Sequence, residues 1–92
     1  MPGHEISTAE MVSCVDREMR MRAKVYPRWV SQGKMTQEQA DLEGARMMAV
    51  RQRLVYAEAI DQVVDQMPDV GRELGATLAA ALKRLTEQYP LP

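Results

Sequence analysis

The stretch STAEMVSCVDREMRMRAKVYPRWV, residues 7–30, decides the fold. It opens on Ser7-Thr8-Ala9-Glu10, a capping box in which the Ser7 hydroxyl accepts from the Glu10 amide while the Glu10 carboxylate reaches back. Ile6 before the cap and Met11 after it supply a hydrophobic staple. Val12, Val15, Met19, Ala23, Tyr26 and Val30 then recur at steps of three and four, which puts them on one stripe of a helix. The stripe runs through Pro27, where a helix loses one hydrogen bond and crowds its preceding turn at a cost of about 3 kcal/mol. The pattern predicts helix 1 over about 7–32, kinked at Pro27 or broken there with Pro27 opening a new turn, and stopped by Gly33.

Working outward, Thr36 with Gln39 forms a weaker capping box for helix 2, predicted over about 36–66 and ended by Met67-Pro68. Met47, Val50, Leu54, Ala57, Ile60, Val64 and Met67 keep near-heptad steps along it. Met48, Val55, Tyr56 and Val63 widen its apolar sector, so this helix should touch neighbours on two sides. Helix 3, over about 69–88 with Asp69 as its cap, carries Val70, Leu74, Leu78, Leu82, Leu85 and Tyr89 on one face. No segment alternates in the period-2 manner of a strand. The expectation is an all-α single domain over residues 1–92, three helices with an antiparallel hairpin of helices 1 and 2, completed by oligomerisation. A helix 2 of about 45 Å would overhang a domain of this size unless it bends or packs on a second copy.

Composition limits the function. The chain has 92 residues, 46% apolar and 27% charged, and its 12 Lys and Arg against 13 Asp and Glu give a net charge of -1. No overall excess of charge draws it to nucleic acid or an anionic lipid surface, so a charged partner must read a local patch. One cysteine, Cys14, excludes an internal disulfide framework and multi-cysteine zinc sites. With no apolar run near a membrane span and no signal-peptide pattern in Met-Pro-Gly-His, the expected address is the cytoplasm, without membrane contact.

Charge is nevertheless unevenly placed. Arg17, Arg20, Arg22, Lys24, Arg28 and Lys34 supply half of the basic residues. In a hairpin turning near Met35, residue i lies level with roughly 70 minus i, which sets Arg17 beside Arg53 and Lys24 beside Arg46. Arg17, Arg20, Arg22, Lys24, Arg46, Arg51 and Arg53 would then share one band with few local acids, while Arg28 has Asp41 and Glu43 as candidate partners. Glu5, Glu10, Glu58, Asp61, Asp65 and Asp69 gather toward the other end. The pattern suits solvated faces that pair in an antiparallel dimer or against helix 3, a cationic band meeting phosphates or an acidic protein, or an acidic end that imitates nucleic acid.

Chemistry finds little to work with. His4 stands alone before the first cap, so no triad or histidine-based metal site can assemble in one chain. Cys14 reads as a buried inert thiol, and Glu58, Asp61 and Asp65 as a solvated stripe that lacks a Glu-x-x-His partner for a metal. Gly71 and Gly75 lack the spacing and the lysine of a phosphate loop. A non-enzyme without metal or cofactor is expected. Lys24-Val-Tyr-Pro-Arg-Trp-Val30 stands apart, since it gathers Tyr26, the sole tryptophan Trp29, and cations, the residue types of interface hot spots. Tyr26 and Trp29 can equally anchor the core at the turn.

The segment Arg17-Glu-Met-Arg-Met-Arg-Ala-Lys-Val-Tyr-Pro-Arg-Trp-Val30, with Gly33-Lys-Met-Thr36 and Ala40-Asp41, resembles short uncharacterised proteins of tailed phages and prophages over roughly residues 13–50. The resemblance implies a small accessory protein in an infected or lysogenic bacterium and assigns no catalytic or binding residue. The expected function is stoichiometric binding of a host or phage protein that inhibits or modulates a host system, through Arg17, Arg20, Arg22, Lys24, Tyr26, Arg28, Trp29 and Arg53. A nucleic-acid-binding accessory of phage replication or recombination is the first alternative, and a self-assembling structural protein the second.

Overall fold

The computed structural model describes residues 5–92, and His4 lies outside them. The fold is all-α: α1 spans Thr8–Ser31, α2 Gln37–Asp65 and α3 Pro68–Gln88, with no strand among the described residues. Two compact units result, one reaching to Glu58 and one from Ala59 to Pro92, with α2 continuing from the first into the second.

In the first unit the helix ends follow local chemistry. Ser7 Oγ accepts from the Glu10 amide at 3.1 Å. At α2, Thr36 and Gln39 cap reciprocally, the Gln39 amide donating to Thr36 Oγ1 at 3.0 Å and the Thr36 amide to Gln39 Oε1 at 2.9 Å. Between them the Lys34 amide donates to the Trp29 carbonyl at 2.9 Å and the Gly33 amide to Val30 at 3.1 Å, a Schellman motif. Gly33 takes the left-handed conformation it requires, with φ of 73°. Pro27 does not break α1, which runs uninterrupted through it; the break with a new turn is therefore corrected. The flanking turns keep their own hydrogen bonds, and the seam with α2 holds both sides of the proline in one helix.

α1 and α2 pack closely and antiparallel. Val12, Val15, Met19, Arg22, Tyr26 and Val30 are half-buried against Ala40, Glu43, Met47, Arg51 and Leu54. Ala40 is the one buried residue among the described ones, at 9% exposure. Small side chains at Ala23, Ala40 and Gly44 leave a groove of about 320 Å³ walled by Pro27 and Val30. The α2 seam differs from the apolar heptad of the sequence. Val50, Ala57 and Ile60 are exposed, and Arg51 and Glu58 occupy seam positions. An apolar pattern alone passes over seam charges, which are tolerated here because they are paired or keep contact with water.

In the second unit, α2 turns at Gln66 and Met67 into α3. α3 opens at Pro68, with Met67 at the N-cap and no side-chain cap bond, so the expected Asp69 cap is corrected. Proline suits the first turn because its missing N–H would have been unsatisfied there. Asp69, displaced into that turn, instead pairs with Arg72. Gly71 packs so closely on α2 that a Cβ there would lie 3.0 Å from Val64 Cγ1.

Candidate functional site

Antiparallel packing divides the cations of α1 into two sets. Arg22 faces the seam: its Nε donates to Glu18 Oε1 at 2.9 Å, and its Nη1 lies 3.5 Å from Glu43 Oε2. Glu43 also binds Arg46 Nη1 at 2.7 Å, so one carboxylate joins cations of both helices. Further along, Arg51 Nε donates to Asp16 Oδ1 at 2.7 Å and its Nη2 to Oδ2 at 3.4 Å, a forked pair across the seam. The hydrogen bond from Arg51 holds the Asp16 carboxyl below the usual carboxylate range, and the same bond raises Arg51. Arg22 is raised chiefly by its bond to Glu18.

These pairs correct the expected mid-hairpin band. Residue i lies level with roughly 67 minus i, about one turn from the expected register, because the reversal centres on Gly33 rather than Met35. Arg17 is thus level with about position 50 and Arg53 with about 14, and Arg22, Arg46 and Arg51 have acids at hand. Arg28 does not engage Asp41 or Glu43, which bind Gln37 and the Arg22–Arg46 pair instead.

Arg17, Arg20, Lys24 and Arg28 form the second set. Spaced by three, four and four residues, they occupy one strip about 16 Å long on the side of α1 turned from the seam. All four are exposed, and none joins an ion pair within the described residues. Arg20 has Asp16 as an i,i+4 neighbour and its charge helps to lower that carboxyl, but the hydrogen bonds to the carboxylate come from Arg51. Arg53 is exposed on α2, on the far side of the seam from this strip by helical geometry.

An apolar strip runs beside the cations. Met21 is 53% and Trp29 39% exposed, and with Val25 they line a shallow hollow with Glu18, Arg22 and Tyr26. Tyr26, half-buried, has its ring centroid 5.7 Å from that of Trp29 at 32°, and Arg22 Cζ stands 5.8 Å from the Tyr26 centroid. Tyr26 thus serves the seam and the hollow together, whereas Trp29 presents its surface outward. Rigid aromatic area beside unpaired cations is the make-up of a protein-binding hot spot.

Cys14 is exposed rather than buried, because it lies one position, or about 100°, around the helix from Val15 of the seam. It lines a second hollow with Met11, Arg17 and Leu54. No group of three or more His, Cys, Asp or Glu among the described residues is arranged to hold a metal ion, and no helix there is long and apolar enough to cross a membrane. Comparison with protein-family models, with characterised proteins and with solved structures finds no match.

Proposed function

We propose that this chain is a small non-enzymatic binding protein of the phage type, attaching the outer face of α1 to an acidic protein surface in the cytoplasm of a bacterial host. The attachment inhibits or modulates a host defence or regulatory system, and the acting form is a homo-oligomer. One observation carries the reading: Arg17, Arg20, Lys24 and Arg28 stand exposed and unpaired beside the apolar strip of Met21, Val25 and Trp29. The phage setting is carried over from the resemblance over roughly residues 13–50 and rests on that resemblance alone.

An acidic protein is favoured over nucleic acid by that neighbouring strip. Phosphate recognition asks for cations and polar side chains, whereas Met21, Val25 and Trp29 gain from meeting apolar surface.

The test is affinity capture from nuclease-treated host lysate with the wild-type chain and with Arg20→Glu/Lys24→Glu. Both positions are exposed and outside the seam, so folding is preserved. The expected result is one protein retained in fixed stoichiometry by the wild type, and bound about 100-fold more weakly by the variant. Equal retention by both chains, or capture of nucleic acid alone before nuclease treatment, overturns the reading.

A further inference from the structure

α3 confines its six charged side chains, Asp69, Arg72, Glu73, Lys83, Arg84 and Glu87, to about one third of its circumference. The opposite side is bare: Val70 is 36% exposed, Leu74 41%, Leu78 52%, Leu82 61%, Leu85 49% and Tyr89 70%. An amphipathic helix of this kind is stabilised by whatever covers its apolar side, since helical propensity alone is marginal at this length.

We propose that this stripe is covered by the same stripe of a second copy, the two α3 helices running antiparallel about a two-fold axis at Leu78. This deepens the homo-oligomer reading above, on which it rests, and uses no residue of α1. Three features favour a second copy in this orientation. The first is area: the six partly bare side chains leave roughly 600 Å² per chain to cover, so a symmetric pair buries up to about 1,200 Å², which reaches the lower bound for a specific interface.

The second is self-complementarity. About Leu78, Leu74 comes level with the partner's Leu82, and Gly75 with the partner's Ala81, where two small residues let the backbones approach. Glu73 comes level with the partner's Lys83 and within one residue of the partner's Arg84, and Glu73 and Arg84 lie at the same edge of the charged third, the edge nearest Val70. A parallel pair would instead set each charge against its own copy, which costs stability. The third is the balance of the polar face, three acids against three bases, which gives an anionic lipid surface nothing to attract.

The experiment uses the 92-residue chain carrying Cys14→Ser, so that an introduced cysteine is the sole thiol. Sedimentation equilibrium should show a dimer at about 100 µM, with Leu82→Glu shifting it to monomer while circular dichroism keeps the α1–α2 signal. Under mild oxidation Leu78→Cys should link two chains quantitatively. Leu74→Cys and Leu82→Cys should each link poorly alone and readily when mixed, because they meet only across the antiparallel pair. Glu73→Arg should weaken the dimer about tenfold, and adding Arg84→Glu should restore it. A wild-type monomer at that concentration overturns the pairing, and so does Leu74→Cys linking alone as well as Leu78→Cys. Neither result bears on lysate capture by α1, which fails or succeeds separately.

Discussion

Within the α1–α2 hairpin, Asp16 binds Arg51 and Glu43 approaches Arg22 across the packing seam, while Glu18–Arg22 and Glu43–Arg46 extend these pairs along each helix. In α3 the charged side chains keep to the side away from Leu74, Leu78 and Leu82, and the ion pair Asp69–Arg72 lies within one turn. The hairpin therefore carries much of its specificity as cross-helix charge pairing over a modest apolar contact. α3 carries an unmixed apolar stripe that needs a covering surface. A polar seam fixes register, because a shift of one turn separates Arg51 from Asp16 and leaves both without a partner. An unmixed stripe of leucines fixes register less tightly and gains more per residue from association.

The largest effect that tests this contrast lies at Pro27. Its missing N–H leaves the Ala23 carbonyl without the usual donor four residues on, inside an otherwise continuous helix. Pro27→Ala should stabilise the hairpin by about 2 kcal/mol, the helix-interior penalty less the added freedom of the unfolded chain. Urea denaturation followed by circular dichroism measures it. If the hairpin is held by its own seam, the gain is the same at every protein concentration, and a gain that fades on dilution breaks the contrast.

A smaller, paired effect sharpens it. A Cβ at Gly44 meets nothing within 4 Å, whereas one at Gly71 lies 3.0 Å from the stiff, β-branched Val64. Gly44→Ala should therefore stabilise by about 1 kcal/mol through helix propensity. Gly71→Ala should lose that gain to overpacking and destabilise by about 1 kcal/mol net. Melting curves of the two variants against wild type decide the matter. Equal shifts would show that the second unit packs as loosely around Gly71 as the hairpin does around Gly44.

Much of the architecture was legible because it is written locally. Ser7 with Glu10, Gly33, and Thr36 with Gln39 mark their helix ends through contacts within four residues, and all three act as their residue types require. α3 started a residue earlier than expected because Pro68 and Asp69 are both good first-turn residues and only one can lead. The α2 seam was harder. Val50, Ala57 and Ile60 look like a seam by hydropathy, yet Arg51 and Glu58 occupy it, and only the facing helix reveals why Arg51 is tolerated there. The cationic site was legible as composition and not as geometry. Arg17, Arg20, Lys24 and Arg28 share a face by spacing alone, but separating them from Arg22, Arg46 and Arg51 needs the register of the hairpin. The same one-turn difference moved Arg53 away from Arg17.

The smallest expected effect is also the most selective, because it addresses the charge pairing alone. Arg51 hydrogen-bonds the Asp16 carboxylate and lowers its pKa in the folded chain. A depressed pKa means that the pair stabilises the fold at pH above the ordinary aspartate value and ceases to do so as pH falls through the lower, folded value. Arg22 and Arg51, both raised, stay charged throughout and add no slope in this window. Acidification below the usual aspartate range should therefore destabilise the wild-type hairpin, and Asp16→Asn should flatten that part of the acid limb. Both groups are half-buried and still reach water, so the change is small and salt weakens it. Melting temperatures on descending pH, at low and high salt, give the answer. An acid limb unchanged by Asp16→Asn would mean that the forked pair contributes no net stability, and the hairpin would then resemble α3 in depending on apolar contact alone.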